Sequence, residues 1–573
     1  MVAWSAFVNA VVVARARISP GVLEGLMSAT VAICVGIALV WFGPSGGDLA
    51  AHAYLRSLFL QHGFTLWDNF WYAGRYSFVT YSLAYYPLAA LVGIKALAVA
   101  TVGVAGLGFA VVLDREWGEV ARPSSRVFAV VWTGVVLAGV YPFALGMAFA
   151  LLSLWALQAA ARRSFAFLAL LTLASSPLAF LVLAMILAGV VVAHRQDLRL
   201  VVPPLLTMLS LACLGLGLWR LFPAGGLYPF PAEEFLAVAA FSILGAVLTW
   251  RLQPARPLHY IFLIYLVAST GAFLVPSALG ENIARLRLAA LPLAVLVLSL
   301  RRWRPRPVAV AVIALAVAWN LSPVIVNLLQ GVRDTSARPA YWQPVITFLR
   351  AHTTPSYRVE VVDTVDHWEA AYLPPSGLPI ARGWYRQDDL PFNRALYARQ
   401  LNAHSYIAWL HRLGVRWVVL TDQPPDYSAR AEATLLRSGH SGLGLATTLQ
   451  GVAIYSVPQP RPIITGVADA RVIALHEARM DLSLPRPGRY HVSFRYAPYW
   501  RASSGCLTRA ADGMLSLTVV SAGVVRLSFD LDPGPVLDAL IGEAPPVCGR
   551  SGARAPRHLT SSRSTVPGSG LIP

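Results

Sequence analysis

The sequence predicts a mostly α-helical, polytopic membrane protein with a folded domain beyond its last membrane helix. Of its 573 residues, 57% are hydrophobic and 13% are charged, and the mean hydropathy is +0.59. This is more apolar surface than one soluble core can bury. Apolar runs of helix length fill the first 330 residues and then stop. The two halves of the chain therefore suit different environments, a membrane and water.

Eleven apolar runs are long enough, or nearly so, to cross a bilayer as helices of about 20 residues. They lie at 22–42, 95–113, 125–141, 144–161, 164–175, 178–193, 200–219, 234–250, 258–275, 286–300 and 307–323. The two short runs at 164–175 and 178–193 flank the sequence SSP, and a single broken helix explains them equally well. The first twenty residues have no basic segment ahead of their apolar part, so they do not predict a cleaved signal peptide.

Arginines mark one face of the predicted helix bundle. If the helices alternate in direction, one side collects Arg15, Arg17, Arg115, Arg122, Arg162, Arg163, Arg251 and the run RRWRPRP at 301–307. The positive-inside rule assigns that side to the cytoplasm. We therefore expect a multi-pass protein of the bacterial cytoplasmic membrane, with its N-terminus in the cytoplasm. The first external loop, residues 43–94, and everything after residue 324 would then lie outside.

The net charge of +18 comes largely from these short basic loops. Nucleic acid is therefore not an expected partner. The sequence also has no Cys/His spacing typical of a zinc site, no phosphate-binding glycine loop and no GxSxG turn. Their absence argues against a nucleotide-driven pump and against a serine hydrolase.

Three regions are predicted in the exterior half. Residues 331–465 alternate helix-like stretches, such as NRALYARQLNAHSYIAWLHRLG at 393–414, with strand-like stretches, such as YRVEVVDT and VRWVVLT, which indicates an α/β domain. Short strands separated by Pro and Gly turns at 466–550 predict a small β-sandwich, and the Ser, Pro, Gly and Arg content of 551–573 predicts a disordered basic tail. Cys506 and Cys548 bracket the last strands, where oxidising surroundings permit a disulfide. Two unpaired thiols are the alternative.

The first external loop carries the most suggestive polar residues. GPSGG ends the first helix, and DLAAHAYLRSLFLQHG then predicts a helix on the bilayer surface. Asp48, His52 and Arg56 follow one another at i, i+4 and i+8, which places them near one helix face. A carboxylate held there can take a proton from a hydroxyl acceptor. A helix cap with a surface ion pair is the alternative.

This loop and the helix layout resemble the GT-C superfamily of integral membrane glycosyltransferases, which use polyprenyl-phosphate sugars. The run GDLAAHAYLRSLFLQHGFTLWDNFWYAGRYSFVTYSLAYYPLAALVG is similar to the pattern of an acid, a histidine four residues on, LW-(D/N)-x-x-W-x-x-G and YYP. That pattern is typical of bacterial membrane proteins labelled 6-pyruvoyl-tetrahydropterin-synthase-related. The label implies no pterin chemistry for this chain.

The resemblance implies roles for individual residues. Asp48 matches the acid that serves as base or metal ligand, and His52 matches the histidine that orients it. An aromatic cover over a sugar-lipid site is implied for Trp67, Asn69, Trp71, Tyr72, Tyr85 and Tyr86. Each aromatic residue has an alternative role as a membrane-interface anchor. The external stretch VYPFAL at 140–145 has no carboxylate, which leaves the dependence on a divalent metal, Mg²⁺ or Mn²⁺, open.

A lipid-phosphate donor requires cations at the outer membrane face. Arg285 and Arg287 lie where the tenth predicted span begins, on the side opposite the basic loops. The guanidinium fork suits phosphate oxygens, and snorkelling towards lipid headgroups is the alternative. Arg75 is a weaker candidate. In the exterior half, GWYRQDDLPFN predicts an acceptor loop with Trp384, Asp388, Asp389 and Asn393, or equally a turn that leads into a capped helix.

Two functions remain open at the level of sequence. One is transfer of a sugar from a polyprenyl-phosphate carrier to an envelope glycan, lipid or protein outside the membrane. The other is non-enzymatic binding or transport of an envelope glycolipid, with Asp48 and His52 structural. Fold alone does not decide between them. The discriminating feature is a membrane-level cavity that a carboxylate, an arginine and aromatic side chains line together.

Overall fold

The computed structural model describes residues 19–541, apart from 195–197, 224–225 and 399. The expectations for the first eighteen residues, for Cys548 and for the tail at 551–573 concern residues outside this part of the chain. The predicted Cys506–Cys548 disulfide therefore stays a prediction.

Helices predominate in the described residues up to Arg333. They are α1 (Pro20–Phe42), α2 (Leu49–His62), α3 (Tyr85–Val92), α4 (Ile94–Trp117), α5 (Arg122–Val131), α6 (Gly134–Ala138), α7 (Tyr141–Gln158), α8 (Arg162–Ser175), α9 (Pro177–Ala193), α10 (Leu198–Leu221), α11 (Ala232–Thr249), α12 (Arg256–Leu274), α13 (Ala290–Leu300) and α14 (Arg306–Arg333). A ten-residue 3₁₀ segment, Gly280–Ala289, leads into α13.

Eight helical stretches within the described residues are long and apolar enough to cross a membrane, where the sequence predicted eleven. The difference has two sources. The two predicted spans at 95–113 and 125–141 belong to one continuous helical stretch, Ile94–Ala138. The other two, α8 with 14 residues and α9 with 17, are too short to qualify. The chain is a multi-pass membrane protein, and its orientation stays a prediction.

The break between α8 and α9 comes from Ser176 and Pro177. Ser176 is extended, and its side chain accepts a hydrogen bond from the backbone N–H of Ala179, so it caps α9. Proline at the first position of α9 lacks the N–H that would continue α8. Two short helices therefore form where the alternative was one broken span.

The first external loop folds into α2, a two-stranded ribbon and α3. The ribbon pairs β1 (Trp67–Asp68) with β2 (Arg75–Tyr76) in antiparallel register. Every residue from Trp67 to Phe78 is buried. This segment of the loop is thus enclosed by protein, whereas Leu60 of α2 and Leu91 of α3 are exposed.

An α/β layer follows α14. Its sheet has the order β3 (Arg358–Val361), β4 (Val415–Leu420), β6 (Val452–Ser456) and β5 (Gly444–Leu449). Only β3 and β4 are parallel. Its helices are α15 (Pro339–His352), α16 (Glu369–Tyr372), α17 (Arg386–Phe392), α18 (Ala403–Leu413) and α19 (Arg430–Arg437). The helix predicted over 393–414 is shorter, because Asn402 caps it late.

The last region contains two four-stranded antiparallel sheets. One has the order β12 (Cys506–Arg509), β13 (Met514–Val519), β10 (Gly488–Arg495) and β7 (Ile464–Gly466); the other has β11 (Trp500–Ala502), β14 (Gly523–Phe529), β9 (Arg479–Leu484) and β8 (Arg471–His476). Val492 and Leu515 of the first sheet share a hydrophobic core with Leu482 and Leu527 of the second. A final helix, α20 (Pro533–Ile541), follows.

Candidate functional site

A cavity of about 910 Å³ lies between the membrane helices and the α/β layer. One part is polar and is lined by Asp48, Arg285, Asp366, His367, Arg386 and Asp426. The other part is apolar and is lined by Leu170, Leu173, Leu178, Leu181, Leu214 and Leu218 of α8, α9 and α10. A carboxylate, an arginine and aromatic residues such as Trp384 therefore line one cavity. This is the combination expected to distinguish a transferase from a glycolipid-binding protein.

Asp48 occupies the N-cap position of α2 without acting as a cap. Its side chain makes no hydrogen bond to the first turn of the helix. Instead it lies near the Trp384 side chain and near Arg285, Arg386 and His367. Burial raises the pKa of Asp48 above its ordinary value, although these neighbours oppose the rise. A carboxylate with a raised pKa is a stronger base, so the geometry disfavours the capping alternative.

The backbone at Asp48 is fixed by a close approach to Gly139. Gly139 has φ +70°, and a Cβ on it would lie 2.6 Å from the Asp48 backbone nitrogen. Only glycine accommodates both conditions without strain. The turn between α6 and α7 therefore acts as a stop against which the start of α2 packs.

His52 positions this turn and does not itself line the cavity. Its Nε2 donates to the Gly139 carbonyl oxygen at 2.9 Å, which leaves Nδ1 to accept from the Tyr86 hydroxyl at 3.1 Å. Complete burial lowers the pKa of His52 to about 3. The predicted catalytic pairing of His52 with Asp48 is thus replaced by an indirect role: a neutral imidazole holds Gly139, and Gly139 holds the Asp48 backbone.

The three predicted phosphate-binding arginines differ in their partners. Arg75 forms a buried ion pair with Asp388, Nε to Oδ2 2.8 Å. Arg287 pairs with Glu234 at 2.8 Å. Arg285 lines the cavity, and within the described residues it has no carboxylate at ion-pair distance. Of the three, Arg285 therefore keeps its charge available to a ligand.

The predicted aromatic cover lies elsewhere. None of its six members, Trp67, Asn69, Trp71, Tyr72, Tyr85 and Tyr86, lines the cavity. Trp67 stacks on Phe529 of β14 with ring centroids 4.9 Å apart, and the Asn69 amide donates to the His476 carbonyl oxygen at 2.7 Å. The motif thus joins the loop at 43–94 to the C-terminal sheets, where Trp67 buries its apolar area.

Trp71 and Tyr72 are buried against the α/β layer, whereas Tyr85 and Tyr86 pack around His52, with ring centroids 5.5 and 6.1 Å from the His52 ring. The Trp71 indole donates to the Ala370 carbonyl oxygen, and the Tyr72 hydroxyl donates to that of Tyr385. The aromatic residues that do line the cavity are Tyr81, Phe143, Trp219, Phe222, Tyr228, Trp384, Tyr385 and Tyr427. Their contribution depends on how distant segments meet, which local patterns do not encode.

The predicted acceptor loop is divided between the cavity and the core. Trp384 and Asp388 line the cavity. Asp389 is buried against Arg382, with Oδ1 2.9 Å from Nε, and Asn393 donates to Asp389 at 2.8 Å. Asp389 and Asn393 are therefore structural, because a carboxylate already paired inside the protein does not contact a substrate.

Several cavity residues escaped the sequence analysis. Asp366 and His367 follow β3, Asp426 follows β4, and Arg386 follows Ile380, which bridges in parallel to Val359. The carboxyl ends of parallel strands gather at one sheet edge, a common place for ligand sites. The predicted strands YRVEVVDT and VRWVVLT carried that signal, since polar residues come directly after both.

The surroundings of Asp48 do not suit a divalent cation. Two guanidinium groups, from Arg285 and Arg386, lie near its carboxylate, and the Asp366 carboxylate lies close enough to interact with it electrostatically. Hard divalent ions require several oxygen ligands with few competing cations. The residues at Asp48 therefore fit a proton-transfer role better than the metal-ligand role.

Comparisons with known proteins add one structural likeness. No family model and no curated protein matches the sequence, so the predicted resemblance to the proteins labelled 6-pyruvoyl-tetrahydropterin-synthase-related is not confirmed. A solved structure of the arabinofuranosyltransferase AftD from mycobacteria matches with 18% identity and a TM-score of 0.45, covering 80% of this chain and 41% of that chain. A mutant of the same protein matches with 18% identity and a TM-score of 0.48, covering 80% and 43%.

This chain thus spans about two-fifths of the length of AftD. Likeness at this level assigns neither a substrate nor an activity to this chain.

Proposed function

We propose that this protein is a membrane glycosyltransferase that moves a sugar from a polyprenyl-phosphate carrier to a cell-envelope glycan, lipid or protein on the outer face of the cytoplasmic membrane. The observation that carries the proposal is the position of Asp48. Its carboxylate makes no cap hydrogen bond and lines the same cavity as Arg285 and the apolar side chains of α8, α9 and α10.

In the proposed reaction Asp48 is the general base. It takes the proton of an acceptor hydroxyl while the hydroxyl oxygen attacks C1 of the donor sugar. The bond between C1 and the phosphate oxygen breaks, and the phosphate leaves with the bonding electrons. Attack opposite the leaving group inverts the configuration at C1. The raised pKa of Asp48 favours proton transfer to its carboxylate.

Arg285 is the proposed partner of the leaving phosphate. Its guanidinium has no described carboxylate at ion-pair distance, and it lies near Asp48 and the Tyr81 hydroxyl. A charge-assisted hydrogen bond to phosphate oxygen stabilises the charge that develops there. Arg285 therefore binds the donor and supports departure of its phosphate.

The two parts of the cavity accommodate two substrates. The apolar part lies between α8, α9 and α10, and α10 exposes Leu214, Leu216 and Trp219 on its surface. An isoprenoid chain can enter there from lipid, because it exchanges one apolar environment for another. The polar part reaches the α/β layer at Trp384 and Arg386, which suits a hydroxyl-rich acceptor from the water side.

The substitution Asp48→Asn tests this proposal. Membranes that contain the wild-type protein or the variant are given a panel of farnesyl-phosphate-linked radiolabelled sugars, and label in envelope acceptors is counted. Because Asp48 makes no cap bond, the variant is expected to fold and insert normally. Transfer is expected to fall by about 10²- to 10⁴-fold, the usual contribution of a general base. The exposed Asp469 provides a matched control, Asp469→Asn, with unchanged transfer.

The competing function is glycolipid binding or transport without chemistry. It predicts that wild-type protein binds the labelled donors but transfers no sugar, and that Asp48→Asn behaves identically. Full transfer activity in Asp48→Asn would remove Asp48 as the base. If the wild-type protein transfers sugar, and Asp48→Asn still binds the donor but transfers none, the protein is an enzyme and not a carrier.

A further inference from the structure

A second cluster of charged residues lies beside the cavity but outside the proposed reaction. It is formed by Asp363, His367 and Glu369, in the loop after β3 and at the start of α16. One potential ligand atom from each residue lies within 4.8 Å of the others. The His367 Nδ1 is 3.4 Å from Glu369 Oε1 and 3.9 Å from Asp363 Oδ2. Separations of this size are close to those between ligands that share one metal ion.

The imidazole of His367 is buried and makes no well-aligned hydrogen bond to any described residue, although its Nδ1 lies 3.4 Å from Glu369 Oε1. The His367 side chain is 6% exposed. A buried polar group without a well-aligned partner costs free energy. His367 also lines the cavity, so an ion bound to it is accessible to small ligands and water.

Negative charge predominates around this cluster. Arg382 is the guanidinium that contacts it, and it lies within ion-pair distance of three carboxylates: Asp363 at 2.8 Å, Asp389 at 2.6 Å and Glu432 at 3.6 Å. Glu369 has no arginine at ion-pair distance among the described residues. One arginine cannot balance this set, whereas a divalent cation offsets two further charges.

The carboxylates are already oriented by neighbouring donors. The Thr364 hydroxyl donates to Glu369 Oε2 at 2.8 Å, and Arg382 Nη2 lies 2.8 Å from Asp363 Oδ2. Hydrogen bonds of this kind hold metal-binding carboxylates in place. The side chains therefore require little rearrangement to converge on an ion.

We propose that Asp363, His367 and Glu369 form a binding site for one divalent transition-metal ion, Mn²⁺ or Zn²⁺, in the exterior α/β domain. Two carboxylates and an imidazole favour these ions over Mg²⁺ and Ca²⁺, which prefer oxygen ligands alone. The site is separate from Asp48 and does not depend on the proposed sugar transfer.

A proton on His367 is the competing occupant. Burial alone lowers the pKa of His367, but the neighbouring Glu369 and Asp363 carboxylates raise it to about 9. A protonated ring would satisfy the two carboxylates without any metal. The experiment therefore has to measure metal binding directly, and sugar transfer is not its readout.

The full chain in detergent is treated with EDTA to remove bound metal and then dialysed. It is titrated with MnCl₂ while free Mn²⁺ is measured by electron paramagnetic resonance. A parallel sample is loaded with Zn²⁺, and its metal content is measured by elemental analysis. We expect about one ion per chain, as for a single structural site. The substitutions His367→Gln and Glu369→Gln should each weaken binding by about 100-fold or more, since removal of outer-shell partners alone costs 10- to 100-fold.

Two control variants distinguish this site from a metal ion bound elsewhere in the chain. His352→Gln changes an exposed histidine of α15 and should leave stoichiometry unchanged. Asp48→Asn should also retain the ion, whereas a metal held at Asp48 would be lost. If His367→Gln fails to fold, Glu369→Gln and the wild-type titration still decide. Wild-type protein that binds neither Mn²⁺ nor Zn²⁺ at stoichiometric levels, or equal binding in Glu369→Gln, would overturn the proposal.

Discussion

Arg75 of the loop at 43–94 and Asp388 of the α/β layer form a buried ion pair, with Nε and Oδ2 2.8 Å apart. The Arg75 guanidinium also lies 3.7 Å from the centre of the Tyr385 ring. Both charged residues were predicted to contact substrate, one the donor and the other the acceptor. Both residues line the cavity, and their pairing also joins the loop at 43–94 to the α/β layer.

Removing one partner of this pair should loosen the joint. Arg75→Gln or Asp388→Asn leaves the other charge buried and alone, which typically costs about 3–5 kcal/mol. We expect a lower unfolding temperature in detergent and faster proteolysis of the exterior region. The double variant Arg75→Gln/Asp388→Asn is the control, because it buries no lone charge. If each single variant were as stable as wild type, the pair would not contribute to alignment.

Substitution of Arg285 should weaken donor binding, whereas substitution of its neighbour Arg287 should mainly lower stability. Arg285→Gln removes a cation without a described carboxylate partner and should raise KM for the prenyl-phosphate donor about tenfold or more, since a hydrogen bond to a charged group contributes about 1.5–3 kcal/mol. Its unfolding temperature should stay near that of wild type.

Arg287→Gln is the matched comparison for Arg285→Gln. It leaves Glu234 without its partner at 2.8 Å, so stability should fall more than donor affinity. Donor titrations at matched protein amounts, with thermal unfolding of the same samples, test both expectations. A larger loss of donor affinity in Arg287→Gln would reverse the assignment.

Two predicted site residues, Asp48 and Arg285, line the cavity, and their roles stay predictions. Asp48 follows the first span and Arg285 precedes the tenth predicted span, so helix boundaries alone placed both at one membrane face. The aromatic motif was different. Asn69 donates to the carbonyl oxygen of His476, a contact between residues about four hundred positions apart, and no local pattern distinguishes such a joint from a substrate cover.

The sequence predicted the long membrane helices better than the short ones. Apolar composition located the long spans, because a bilayer requires such runs whatever their tertiary contacts. Length was a poorer guide where helices pack inside protein, as for α8 and α9, which follow Ala161 and Ser176. Bounds there depend on local caps and prolines, and a short helix buried against its neighbours does not have to cross a bilayer unaided.

The imidazole of His52 should make the protein acid-sensitive. Its folded pKa of about 3 lies below the ordinary value of 6.5, so between these values the unfolded chain binds a proton that the folded chain rejects. Stability is therefore complete above pH 6.5 and falls as the pH drops, by about 2 kcal/mol at pH 5 for this group alone.

Thermal unfolding at pH 7 and pH 5 measures this effect. His52→Gln should lower stability at pH 7, because the buried hydrogen bonds to Gly139 and Tyr86 are disturbed, yet it should show a smaller further loss at pH 5. His52 should not contribute to the pH dependence of transfer. Any ionisation that the wild-type protein shows near pH 6.5 should therefore also be present in His52→Gln. Equal acid sensitivity in both proteins would mean that His52 is not the group responsible.

The apolar part of the cavity offers a test of donor-chain binding on one helix. Gly215 of α10 lines the cavity, and a Cβ there would meet Leu173 at 3.5 Å, so Gly215→Trp places an indole where an isoprenoid chain is proposed to lie. Two displaced methylene groups already correspond to about 1.6 kcal/mol, enough for more than a tenfold loss. Transfer from long-chain prenyl-phosphate sugars should therefore fall by at least about that factor, while transfer from short-chain farnesyl donors falls less.

Gly217→Trp is the matched control, because Gly217 lies two residues along the same helix with no atom within 4 Å of its Cβ position and does not line the cavity. Equal losses in both variants, or equal losses for long and short donors, would show that the indole disturbs α10 and does not obstruct a chain-binding groove.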